Sequence, residues 1–142
     1  MRDEMIPKLR AWKKYDSPEM FRDIAFIDFN KKLLGVNYEV SKITTRLDIE
    51  TLDKFIIMQS TGIKDKNGVE IFEGDIVNYV KSFTNPMTGS GSLSINKNLR
   101  IIFKDAEFTA DGIDIRLKKI VSHMEVIGNI WENPELLEGD KK

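Results

Sequence analysis

Between Phe55 and Val80 the chain reads FIIMQSTGIKDKNGVEIFEGDIVNYV. Phe55-Ile56-Ile57-Met58 is a short apolar run rich in β-branched and aromatic residues, which suits a buried strand better than a helix. Thr61-Gly62 interrupts it. Asp65-Lys66-Asn67-Gly68 then carries turn chemistry: an aspartate able to accept a main-chain N–H, two residues that tolerate a right-handed turn, and a glycine open to positive φ. Two hairpins fit. A type I turn with a following glycine bulge gives Asp65 a role, whereas a two-residue Asn-Gly type I′ turn gives it none. The two differ by one residue in register and would exchange buried and exposed faces. The bulged form is the expectation. Val69 and Ile71 return the chain, Glu73-Gly74-Asp75 bends it again, and Asp75–Val80 reads as a third strand with Tyr79 near its end. Glu70, Glu73 and Asp75 are read as solvated turn and edge carboxylates, because hard-cation loops space their ligands more densely.

Composition narrows the classes of function. The chain has 142 residues, enough for one domain with a real core, and a formal net charge of -1. Met1–Ile71 carries 13 Lys/Arg against 12 Asp/Glu, and Phe72–Lys142 carries 9 against 11. Neither half has the basic excess typical of a nucleic-acid or membrane-surface protein. The absence of cysteine excludes disulfides, thiolate chemistry and Cys-based zinc sites, and it suits a reducing cytoplasm. No apolar run approaches the roughly 20 residues of a membrane span, and the opening MRDEMIPKLR is too polar for a secretory signal.

Outward from the central stretch, most of the chain reads as short strands. Lys8–Lys13 alternates charged and apolar residues as a first strand, and Asp16-Ser17-Pro18-Glu19 is a turn or a single helical turn capped by Ser17. Ile24–Phe29 and Leu33–Val40 form the next two strands about Asn30-Lys31-Lys32, with Gly35 a candidate bulge. Trp12 and Phe26 are expected in the core. Residues 48–54 read as a polar loop or short helix, and residues 82–92 as a long Gly/Ser-rich loop whose composition argues for disorder. Leu99–Lys104, Glu107–Ala110, a strictly alternating Ile113–Lys118 beyond an Asp111-Gly112 hairpin turn, and Met124–Ile130 read as the remaining strands. Asn133-Pro134-Glu135 caps a short helix containing Leu136 and Leu137 that should dock on the sheet. The expected fold is mainly β, an antiparallel meander with short helical segments. It is organised as a single domain over residues 1–142, with an N-terminal β subregion at about 7–47 and a central and C-terminal β region at about 54–137.

Three blocks coincide in order and separation: residues 58–68 (MQSTGIKDKNG), residues 71–77 (IFEGDIV), and residues 126–130 (VIGNI) with residues 132–137 (ENPELL). Together they resemble the YopX family, small proteins encoded by phages and prophages, over about Arg10 to Leu137. The family's usual opening of Arg, one residue, Trp and Asp is met by Arg10-Ala11-Trp12 but has Lys13 in the Asp position, and the loop about Asn85–Ser92 lies outside the family pattern. The resemblance implies a mostly β fold whose central part is similar to a partly open SH3-like barrel, and a phage accessory protein in a bacterial cytoplasm. It implies no catalytic residue and no substrate.

No catalytic pattern stands out. His123 is the only histidine; it has Ser122 beside it and Ser94 elsewhere in the chain, but there is no Gly-x-Ser-x-Gly elbow, phosphate loop or dinucleotide fingerprint. The expectation is a non-enzymatic protein without cofactor or metal. It would bind a phage or host protein through an edge strand or through the loop residues Phe83 and Met87, with symmetric self-association open to it through exposed β edges. The alternative is a nucleic-acid-binding factor using Lys97, Arg100, Lys104, Arg116, Lys118 and Lys119, if Leu99–Lys104 and Ile113–Lys118 pair to put them on one face. Asp105, Glu107, Asp111 and Asp114 dilute that cluster to a net +2, which favours a solvated sheet face.

Overall fold

A computed structural model describes residues 8–84 and 92–138. The chain is mainly β, with eleven strands and two one-turn helices among the described residues. It divides into two compact units at Ser60 and Thr61.

In the first unit, β1 (Leu9–Lys13) pairs antiparallel with β2 (Glu19–Phe21) on one side and with β6 (Phe55–Lys64) on the other. A second, three-stranded antiparallel sheet has the order β3 (Ile24–Asp28), β4 (Leu33–Ser41) and β5 (Thr44–Thr51). Ala11, Phe21, Leu34, Val36 and Phe55 form the core of this unit, with Ile24, Ile27, Tyr38, Leu52 and Ile57 packed around it. Each large side chain so buried contributes about 1.5–3 kcal/mol.

The segment from Asp16 to Glu19 is, of the two readings, the turn and not the helical turn: it reverses the chain between β1 and β2. Asp16 and Ser17 both take positive φ, and the chain returns at once as β2. Residues 48–51, expected in a loop or helix, complete β5, and only Leu52–Lys54 forms a 3-10 turn. The bulge expected at Gly35 lies across from it, between Ile24 and Phe26. That extra residue turns Ile24 and Ile27 to the core and Phe26 to the opposite face, so Phe26 is 37% exposed and not a core residue. Its ring covers Gly35, where an added Cβ would lie 2.4 Å from Phe26 Cε2. Trp12 is partly buried on β1.

In the second unit, β6 continues through Thr61-Gly62 without ending. Gly62 takes φ +77°, and Thr61 Oγ1 accepts the Ile63 N–H and donates to the Ile71 carbonyl. Here β7 (Glu70–Phe72) joins it. The other sheet has the order β10 (Glu107–Ala110), β9 (Ser92–Lys104), β8 (Asp75–Thr84), β11 (Met124–Asn129). The strands β8, β9 and β10 meander, and β11 returns beside β8, the order of a Greek key. Pairing of β8 with β9 runs from Ile76↔Arg100 out to Thr84↔Ser92, so both ends of the expected 82–92 loop are strand; residues 85–91 lie outside the described residues.

Ile113–Lys118 is not a strand. After Gly112 (φ +99°) the chain runs into α1 (Leu117–Ile120), and the β hairpin turn is instead Asp105-Ala106. The apolar residues of this segment fit two periods. Ile113, Ile115 and Leu117 alternate as in a strand, whereas Ile113, Leu117, Ile120 and Val121 recur at helical spacing, and it is the second set that packs into the core. Ile115 is left exposed. That core comprises Ile71, Val77, Tyr79, Leu99, Ile101, Ala110, Leu117, Ile120 and Met124. The C-terminal helix α2 (Glu135–Glu138) docks as expected, with Asn98 Nδ2 donating to the Leu136 carbonyl at 2.8 Å.

Candidate interaction surface

The polar residues that stand out in the sequence are committed to the main chain. Asp65, 6% exposed, accepts the Asn67 and Val69 N–H groups on Oδ1 at 2.8 and 2.9 Å and the Val126 N–H on Oδ2 at 2.8 Å. Gly68 takes φ +82° while Asn67 stays out of the left-handed region, and the Gly68 N–H donates to the Asp65 carbonyl. This is the type I turn with a glycine bulge. One carboxylate thereby closes the hairpin and fastens it to β11, aided by the Lys66 N–H on the Met124 carbonyl. Asp75, also buried, accepts the Phe72 N–H at 2.8 Å across the bend at Gly74 (φ +90°), so it is not a solvated edge carboxylate. The main chain of Gly74 bonds Ile101 and Ile130 in turn.

The third motif is built the same way. Asn129 Oδ1 accepts the Trp131 and Glu132 N–H groups, and its Nδ2 donates to Glu132 Oε1 at 2.7 Å. Asn133 Oδ1 turns back to accept the Asn129 N–H at 3.2 Å, while its carbonyl accepts the Leu136 N–H at the start of α2. Gly128 lies under that amide, since an added Cβ would sit 2.4 Å from Asn133 Oδ1.

The residues singled out for chemistry do not converge. His123 ends a 3-10 turn with its ring edge-on to Tyr79, centroids 6.4 Å apart. Among the described residues, no group of three or more His, Asp or Glu could hold a metal ion. An open cleft of about 540 Å³ at the β9–β10 hairpin is lined by Lys104, Asp105, Glu107, Asp111 and Asp114, among others, an acidic set with one lysine. The basic residues separate. Arg100 is paired with Asp111 at 3.1 Å. Lys97 lies on the face of β9 opposite Arg100 and Lys104, by the alternation of the strand. Arg116 precedes α1 and Lys118 lies within it, so the strand pairing that would have aligned them is absent. Phe83 belongs to β8, paired across from Leu93, and Met87 lies outside the described residues. No described helix is long and apolar enough to cross a membrane.

One face of the three-stranded sheet in the first unit carries exposed apolar side chains. On the three-stranded sheet Phe26 stands opposite Gly35, Gly35 opposite Ile49, and Asn37 opposite Leu47. These residues share the face turned away from Leu34, Val36 and Tyr38. Leu47 is 49% exposed and Ile49 51%. The other face of β5 is charged. Arg46 donates to Asp48 from Nε at 2.6 Å and from Nη2 at 3.0 Å and lies over the Tyr38 ring, while Glu50 meets Lys13 and Lys54. The hydrogen bond from Arg46, helped by its charge and that of Lys13, holds the Asp48 carboxyl below the ordinary aspartate range.

A family model described as YopX protein matches residues 8–138. The chain belongs to the YopX family. A solved structure similar to this YopX chain is the crystal structure of protein EF1440 from Enterococcus faecalis, with TM-score 0.62, 33% identity, and coverage of 93% of this chain and 98% of that one. No curated protein matches. The three sequence blocks by which the YopX resemblance is legible are the three turns just described, so the family signature in this chain reports how it folds. Leu47 and Ile49 went unrecognised in the sequence because Arg46, Asp48 and Glu50 make the segment look polar; the alternation at period two was the available signal.

Proposed function

We propose that this YopX-family chain is a non-enzymatic accessory protein of phage or prophage origin that acts in a bacterial cytoplasm by binding a protein partner. The phage setting rests on the family resemblance. The observation that supports a binding role is the exposed apolar stripe of Phe26, Leu47 and Ile49 on a sheet whose opposite side already has its own core. Apolar side chains aligned on one exposed sheet face are a feature of partner surfaces. Three of the polar residues at the principal turns, Asp65, Asp75 and Asn129, are occupied by main-chain N–H groups.

The test is affinity capture from infected or lysogenic cells with the wild-type chain and with the Leu47→Lys, Ile49→Lys double variant. A specific partner retained by the wild type and lost by the variant is expected. An identical set of proteins on both columns would overturn the reading. A nucleic-acid role through Lys97, Arg100, Lys104, Arg116 and Lys118 has less support, because these residues lie on different faces and Arg100 is already paired. Low-salt DNA and RNA binding that is lost with Arg100→Glu and Arg116→Glu would favour it over the protein-partner reading.

A further inference from the structure

We propose that β5 is a self-pairing edge: two copies of this chain join β5 to β5, antiparallel, about a two-fold axis at Leu47. The inference rests on reading the chain as an interaction module and names one of its partners as a second copy of itself. Among the described residues β5, with eight residues, is the longest strand that has only one neighbour; the other such strands have three to six. Exposed edges are usually guarded by charged side chains, lysine above all, by proline, by a bulge or by shortness. β5 has no lysine or proline, its pairing to β4 is regular from Leu33↔Thr51 to Glu39↔Thr45, and its three charges are in ion pairs, Arg46 with Asp48 and Glu50 with Lys13 and Lys54.

The register follows from the main chain. The Leu52 N–H donates to the Lys32 carbonyl at 2.8 Å, which fixes the phase of the ladder. Residues 46, 48 and 50 therefore turn their N–H and C=O groups toward β4, and residues 45, 47, 49 and 51 turn theirs to the open edge. An antiparallel partner at that edge must form its hydrogen-bonded pairs among odd-numbered residues, an arrangement that a two-fold axis at either an odd- or an even-numbered residue satisfies. Centring on Arg46 or on Asp48 would set that charge directly across from its own copy in the other chain. Centring on Ile49 would oppose Asp48 to Glu50 of the other copy, two like charges. Centring on Thr45 would run the pairing into the Ser41–Thr44 turn. Centring on Leu47 engages residues 44–50 of both copies and sets Arg46 of each directly across from Asp48 of the other.

Arg46 and Asp48 then occupy non-hydrogen-bonded positions, where side chains approach most closely. The four charges alternate in sign around the axis. On the opposite face Leu47 meets Leu47, and Ile49 meets Thr45. Pairing thus leaves the apolar face of the sheet uncovered and joins the two stripes into one, so a second copy at the edge and a different protein on the face are compatible.

The test is the solution mass of the purified full-length chain by light scattering or sedimentation, across protein concentrations up to about 100 μM, enough to reveal a dimer with a Kd below that value. A concentration-dependent dimer is expected for the wild type. Arg46→Asp and Asp48→Arg, each alone, should be monomeric because like charges then face one another, and an equimolar mixture of the two should recover the dimer mass. The doubly exchanged Arg46→Asp, Asp48→Arg chain should dimerise by itself. A monomeric wild type overturns the inference and leaves the capture experiment as a separate test of the broader reading. A dimer that survives both single variants, or a mixture that stays monomeric, overturns this interface.

Discussion

The two units of this molecule spend their polar residues differently. In the second, Asp65, Asp75, Asn129 and Asn133 each take up turn N–H groups, and the glycines at 68 and 74 accept the positive φ that the turns demand. In the first, turns pass through positive φ at Asp16, Ser17 and Lys32, which are not glycines, as the β9–β10 turn of the second does at Asp105 and Ala106, and the charged residues of β5 lie in ion pairs such as Arg46–Asp48. Exposed pairs contribute little to stability, whereas a buried carboxylate that satisfies several N–H groups contributes much. The difference sets turns closed by buried side-chain acceptors beside a sheet that holds an apolar face and a strand edge open to solvent.

The largest break in that contrast is expected from Asp65→Ala. It leaves three turn and strand N–H groups without their acceptor, and should cost about 3–5 kcal/mol in a urea unfolding titration. Two glycines sharpen the comparison, because an added Cβ meets the same 2.4 Å approach at each. At Gly128 the neighbour is Asn133, held by its bond to the Asn129 N–H, so Gly128→Ala should cost about 1–3 kcal/mol. At Gly35 the neighbour is the half-exposed ring of Phe26, which can swing into solvent, so Gly35→Ala should cost less than about 1 kcal/mol. Equal losses at the two sites would contradict the distinction drawn between the units.

Ala106, at φ +64° in the β9–β10 turn, sits where glycine is preferred. Ala106→Gly should raise the unfolding midpoint by an amount equivalent to about 0.5–1 kcal/mol. The smallest change is expected from Leu47→Lys with Ile49→Lys, within about 0.5 kcal/mol per site in the monomer, since neither side chain belongs to the core of its unit. A large loss of monomer stability there would mean that the apolar face is structural.

The contrast also marks what could be read in the sequence. The hairpin at residues 65–68 was legible down to its bulge, because Asp65 and Gly68 admit few alternatives in a four-residue turn. The bend at Gly74 and the docking of Leu136 and Leu137 were legible for similar local reasons. The apolar stripe was not. Residues 44–51 carry charges on the face toward Lys13 and Tyr38 and apolar groups on the face toward solvent, the reverse of the usual rule for a half-buried strand. The pattern therefore pointed away from a strand. Ile113–Lys118 misled in the opposite sense, since its alternation matched a strand while its helical spacing met the core.

Local chemistry in the sequence thus determined the β class, the positions of the principal turns and the family, because each depends on a few residues adjacent along the chain. Only the tertiary structure decided that Asp65 reaches the Val126 N–H, that Phe26 leaves the core through a bulge, and that β5 lies at an edge with Leu47 and Ile49 outward. These depend on which strand lies beside which. That choice is made by burial summed over residues far apart in sequence, and no single segment encodes it.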